Sequence, residues 1–190
     1  THKQLIGSAY ILHINGRHRQ LMRSAMAVAK EVGTIISLDG GAQRYDADMK
    51  PITEASHIVI VARDYAEKYT GTTNLEEACR IIHERGSCIA GVTDGANGSY
   101  FVWPDGTFYR CEPFTQSTVV DTTGAGDSFH GAFLANLVYT INHMKGQDTT
   151  PTTKHDSASI HAVELLKACA HSDLEKAAIF ASAVASLNTQ

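Results

Sequence analysis

The string Asp121-Thr122-Thr123-Gly124-Ala125-Gly126-Asp127 gathers small residues, hydroxyls and two carboxylates just where a long apolar helical pattern begins. Small residues at Gly124, Ala125 and Gly126 allow main-chain N–H groups to converge on one spot, and the positive end of the following helix points there too, so the turn suits an anion. Asp127 falls in the first helical turn beside that anion hole. A carboxylate there can be a first-turn residue favoured by the helix dipole, or a base that takes the proton of a hydroxyl attacking a phosphoryl group. A glycine pair before a helix also makes a plain tight turn, so the residues alone leave both readings open.

The elements that must position this turn are legible in the apolar pattern. Ala9–Ile14 reads as a strand, and Arg19–Val32, with apolar residues spaced by three and four and Gly33 as a stop, as an amphipathic helix. Thr34–Leu38 is a second strand closed by an Asp39-Gly40-Gly41 loop, which completes a βαβ unit. The pattern recurs as strand His57–Val61, helix Asn74–Arg85 and strand Cys88–Thr93. Ser99–Trp103 and Thr107–Cys111, joined through Asp105-Gly106, predict an antiparallel hairpin at the edge of a mainly parallel sheet. A helix starts near Ala125, and two more span Ile160–Cys169 and Asp173–Leu187. Residues 142–159, rich in Thr, His, Asp, Gln and Lys, predict an inserted surface loop within a single domain spanning 1–190.

The whole string with Ser128-Phe129 and Gly131-Ala132-Phe133 resembles the C-terminal signature of the ribokinase-like (PfkB) carbohydrate kinases. That resemblance implies an α/β fold of three layers, α/β/α, and transfer of the ATP γ-phosphoryl group to a sugar hydroxyl. It assigns Asp127 as the catalytic base and the backbone of Gly124, Ala125 and Gly126 as the anion hole. Thr93-Asp94-Gly95-Ala96-Asn97-Gly98 is similar to the family's nucleotide loop, which implies that Thr93, Gly95 and Gly98 bind nucleotide. Phe180-Ala181-Ser182-Ala183-Val184-Ala185 resembles the small-residue helix beside the adenine, which adds Ser182, although close helix packing asks for the same residues. Ser37-Leu38-Asp39-Gly40-Gly41 with Arg44 resembles the strand and loop before the nucleotide half, where Asp39 reads equally as a turn residue.

The resemblance also implies magnesium, and a potassium site using Asp121 and Thr123. The family's N-x-x-E motif is absent: Ala62 and Tyr65 stand at its ends, with Arg63 and Asp64 between. Magnesium would then rest on phosphate oxygens, waters and carboxylates such as Asp64 or Asp39. The chain opens at Thr1 without a methionine and ends at Gln190 inside a helical pattern, which suggests the C-terminal portion of a longer kinase whose N-terminal part and lid are missing here. A homodimer is expected of the full-length protein, and the isolated chain is expected to be inactive or nearly so.

Composition narrows the alternatives. Lys+Arg 16 against Asp+Glu 20 gives a net charge of −4, which offers no basic field for a nucleic-acid backbone. Apolar runs fall short of a membrane span, and four cysteines without a C-x-x-C pair read as reduced thiols, so a cytoplasmic protein is expected. The pairs His13/His18 and His155/His161 lack helical zinc spacing; no G-x-S-x-G elbow marks a serine hydrolase; and Gly124-Ala125-Gly126 comes too late for a dinucleotide-binding first turn. The competing reading is a non-catalytic nucleotide-binding or interaction module that kept the fold.

Overall fold

A computed structural model describes residues 1–114, 119–147 and 158–189. In chain order the elements are α1 (His2–Ser8), β1 (Ile11–Ile14), α2 (Arg19–Val32), β2 (Ile35–Gly40), α3 (Lys50–Glu54), β3 (Ile58–Ala62), α4 (Arg63–Thr70), α5 (Leu75–Glu84), β4 (Ile89–Thr93), β5 (Ser99–Val102), β6 (Phe108–Cys111), α6 (Ala125–Gln147), α7 (Ala158–Lys167) and α8 (His171–Leu187). Three short helices, α1, α3 and α4, carry no clear period in the sequence. α1 opens with a capping box between Thr1 and Gln4 and buries nothing. It also delays β1, because the Ala9 amide closes this helix on Ile6 O (3.2 Å).

The strands form one sheet in the order β1-β2-β3-β4-β5-β6. β1 to β4 run parallel and the β4–β5 and β5–β6 pairs are antiparallel, as the two βαβ units and the hairpin predict. Central strands read as continuous apolar runs because both faces are covered. On one face Ile36, Leu38, Val59 and Val61 pack with Met26 of α2, Tyr65 of α4 and Ile82 of α5. On the other, Ile35, Ile58, Ile60 and Phe101 pack with Phe133 and Leu137 of α6 and Leu174 and Ala178 of α8. The result is three layers, α/β/α. Phe101 is the hub of the second face, stacked on Trp103 at 4.8 Å and on Phe133 at 5.7 Å between ring centres.

Two boundaries differ from the sequence expectation. β2 runs on through Asp39 and Gly40 rather than turning there. A Cβ at Gly40 would stand 2.4 Å from Val61 Cγ1, so only glycine lets the strand continue past β3. The expected loop at 142–159 is helical at both ends, since α6 extends to Gln147 and α7 begins at Ala158. Its remaining residues lie outside the described ones. All four cysteines are free thiols.

Alternation along the strands then decides what reaches the site. Period two sends Ile35 toward α6, and it sends Ser37 and Asp39 to the same side farther along β2. Both are buried, at 0% and 7% exposure, so the apolar layer under α6 turns polar at the carboxyl end of the sheet. Open α/β sheets place their ligand crevices at that end.

Candidate active site

The turn before α6 is built by its own side chains. Asp121 Oδ1 accepts the Thr123 amide at 2.8 Å, and this bond holds the Asp121 carboxyl below its ordinary value. Gly124 sits at φ +80°, a left-handed conformation that favours glycine. The Ala125 amide is bonded to Thr122 O (3.2 Å), and the Ser128 amide is bonded to Gly124 O (2.9 Å). Helix geometry leaves the amides of Gly126 and Asp127 without an acceptor of their own. A Cβ on Gly126 would meet nothing within 4 Å, so space beside that amide is open. Amides free for an outside acceptor therefore centre on Gly126 and Asp127, while Gly124 shapes the turn.

The end of α8 clamps this loop from behind. Asn188 Nδ2 donates to Thr123 O at 3.1 Å, and Thr189 O accepts the amides of Val120 (2.8 Å) and Asp121 (3.3 Å). Nothing in the helix-packing pattern of α8 foretells that contact.

Three distant segments meet at one cavity of about 390 Å³. Thr93, Gly95 and Gly98 from the loop after β4, Ser182 from α8, and Ala125 and Gly126 from α6 all line it. Gly124 does not. Pro113, Phe114, Val119, Phe129 and Ala185 add apolar walls, and Ser182 Oγ accepts the Phe114 amide at 3.1 Å. The cavity is thus apolar over most of its length, with helix amides at one end. Gly98 is fixed by sterics, because at φ +91° a Cβ would stand 2.3 Å from Cys111 O. Asp94, just before Gly95, accepts hydrogen bonds from Arg63 Nη1 (2.9 Å) and Asn97 Nδ2 (3.1 Å), which ties the loop to α4.

Asp127 is exposed on the first turn of α6, on the same helix face as His130 three residues on. His130 is 4% exposed, and its Nε2 lies 3.3 Å from Asp39 Oδ1. Arg44 Nη1 is 4.0 Å from the other Asp39 oxygen. Burial by itself would raise the Asp39 carboxyl, but His130 and Arg44 hold it below the ordinary carboxylate value. His13 of β1 stands against His130 with ring centres 5.4 Å apart and shares a 3.2 Å hydrogen bond between its Nδ1 and Ser37 Oγ. Loss of water around the ring and the neighbouring His130 lower the His13 imidazole against the opposite pull of Asp39 and Asp127. His13 and His130 escape a search for metal spacings. The signal that finds them is alternation: His13 shares the α6-facing side of β1 with Ile11, as Ser37 and Asp39 share that of β2 with Ile35.

The positions of the absent N-x-x-E motif are filled structurally. Tyr65 is buried and its hydroxyl lies 2.7 Å from Thr53 Oγ1; burial pushes its phenol up to about 12. Asp64 accepts the Gln43 amide at 2.7 Å through Oδ2 alone, and Asp39 is engaged as above. Among the described residues no group of three or more His, Cys, Asp or Glu could hold a metal ion, and no helix is long and apolar enough to cross a membrane.

Over 115 residues the chain is 32% identical to 5-dehydro-2-deoxygluconokinase of Bacillus subtilis (strain 168), covering 59% of this chain and 33% of that one. Probable fructokinase-2 of Arabidopsis thaliana is 30% identical over 151 residues, 71% of this chain and 45% of the relative. The chain thus spans half or less of the length of these curated relatives. Among solved structures, ribokinase from Giardia lamblia superposes with a TM-score of 0.69 at 17% identity, over 98% of this chain and 56% of that one, which speaks for the fold. A profile of the pfkB family carbohydrate kinases matches residues 1–190, and the chain belongs to that family.

Proposed function

We propose that this chain carries the nucleotide side and the catalytic base of a kinase that moves the γ-phosphoryl group of ATP to a hydroxyl of a sugar. The observation that carries the reading is the single cavity: nucleotide-loop residues Thr93, Gly95 and Gly98 and helix residue Ser182 line it together with Ala125 and Gly126. Its apolar length fits a purine between the loop after β4 and α8. Its far end, the start of α6, offers amides and a positive dipole to the phosphates.

In this reading Asp127 accepts the proton of the acceptor hydroxyl as that oxygen bonds to the γ-phosphorus and the bond to the β-phosphate oxygen breaks. The amides of Gly126 and Asp127 take up charge on the transferred group. Relatives named for fructose and for a deoxygluconate derivative support a polyhydroxylated acceptor. Magnesium would be carried mainly by the phosphates and waters, with Asp64, bonded through one oxygen, or Asp39 as the carboxylates that could join it. For potassium, Asp121 and Thr123 are the candidates; the Asp121 carboxylate bonds the Thr123 amide and the Thr123 carbonyl is held by Asn188, so the loop is ordered around that position.

Asp127→Asn tests the reading. Loss of a general base should lower kcat by about 10²- to 10⁴-fold, with ATP affinity by calorimetry within about threefold of the parent. Equal turnover by the variant would leave the non-catalytic nucleotide-binding module as the better description.

A further inference from the structure

A buried ionised carboxylate with a histidine on it is an expensive arrangement for stability alone. Asp39 and His130 form such a pair under the catalytic turn, at 7% and 4% exposure. The pair fixes how α6 meets β2. Asp127 lies three residues before His130 on the same face of α6 and within electrostatic reach of His13. His13 flanks the pair from β1. Its Nδ1 is engaged by Ser37 Oγ at 3.2 Å and its ring rests on His130, whereas Nε2 has no hydrogen-bond partner among the described residues. His13 is exposed, faces the side of the sheet that carries α6, and does not line the cavity of the nucleotide loop.

We infer that His13 is an acceptor-binding residue: Ser37 and the His130–Asp39 pair orient its imidazole beside Asp127, and its free Nε2 takes a hydroxyl of the polyol next to the one that reacts. This rests on the kinase reading above. A neutral ring suits the task, because it can donate to or accept from a hydroxyl. The lowered His13 imidazole is consistent with neutrality near pH 7. Asp39 and Asp127 surround the position with negative charge, which favours an uncharged hydroxyl over an acidic group at that point.

The test uses the longest open frame that contains this chain, with D-fructose, D-ribose and myo-inositol as acceptor probes, and variants His13→Ala and His13→Gln. For the acceptor used best by the parent, His13→Ala should raise the acceptor KM at least tenfold while the ATP KM stays within twofold. His13→Gln, which keeps a polar group of similar reach, should recover part of the loss. A merely structural role would move both KM values and the melting temperature together. An acceptor KM within twofold of the parent in a folded His13→Ala protein overturns the inference. If the parent transfers phosphate to none of the probes, the kinase reading fails by itself; calorimetric binding of the same probes then decides His13, and equal affinity in parent and variant, or no binding at all, overturns it.

Discussion

Asp39 is ionised in a place that burial makes hostile to charge, so its effect on stability must depend on pH. Its folded value lies below the ordinary 3.8, so the unfolded chain binds more protons on acidification. The stabilisation is therefore present above 3.8 and is lost as pH falls through the lower, folded value. Thermal melts from about pH 5 to about pH 2.5 should show this acid loss in the parent and a shallower one in Asp39→Asn. At neutral pH the same substitution should cost about 1–3 kcal/mol, because His130 would lose a charged partner without gaining water. A melting temperature unchanged by Asp39→Asn at both ends of that range would show that the pair contributes nothing.

At the level of elements, the junction of β2 and β3 carries a second pH dependence. His57 Nδ1 accepts the Ile36 amide at 3.0 Å and its own amide donates to Ile36 O at 2.9 Å. Protonating that nitrogen would destroy the first bond. Burial, with help from Lys30 and Lys167, holds the imidazole below its ordinary 6.5. Since the unfolded chain binds the proton more readily, stability is full above 6.5 and declines as pH falls below it; His13 acts with the same sign. Melts between about pH 7.5 and about pH 5 should show the decline, and His57→Gln should reduce it. The loop after β4 yields a steric prediction. Gly98→Ala forces a Cβ onto Cys111 O and should destabilise by about 1–3 kcal/mol and weaken ATP binding. Gly95→Ala, with open space at its Cβ, should destabilise less. Chemical denaturation and calorimetry on both variants separate the two; equal effects would remove the special role of Gly98.

Over the whole molecule, the two faces of the sheet are unequal in purpose. Both faces bury a core, and one of them also carries α6 and α8, which present the site. Phe133 joins α6 to the sheet through Phe101, so Phe133→Ala should cost about 3–5 kcal/mol in chemical denaturation and loosen the turn before α6 as well. β1 is paired only through β2 among the described residues, and the chain spans about half or less of its curated relatives' length. In the reading proposed above, acceptor binding draws on residues at that open edge. We therefore expect the 190-residue chain to bind ATP within about threefold of the longest open frame, yet to transfer phosphate at least about 10²-fold more slowly, since small losses of positioning and water exclusion cost that much. Comparable transfer rates from the two forms would show that the chain alone is sufficient.

The amino-acid sequence by itself determined the elements with strong period and the turn with strong local chemistry. α2 needed only its apolar spacing and Gly33, the hairpin only Asp105-Gly106 between alternating runs, and the start of α6 only small residues before a helical stripe. Those features arise from contacts a few residues apart. Tertiary structure decided the rest. That Gly124 shapes the turn while the Gly126 and Asp127 amides remain free depends on which carbonyls Ala125 and Ser128 find; that β2 continues through Gly40 depends on Val61 of the neighbouring strand. The Asn188 clamp on Thr123 and the meeting of His13, Asp39 and His130 join residues far apart along the chain, brought together by the order of strands and the seating of α6. No local pattern encodes such a meeting, because its energy comes from desolvation and partner geometry that exist only once the layers have closed.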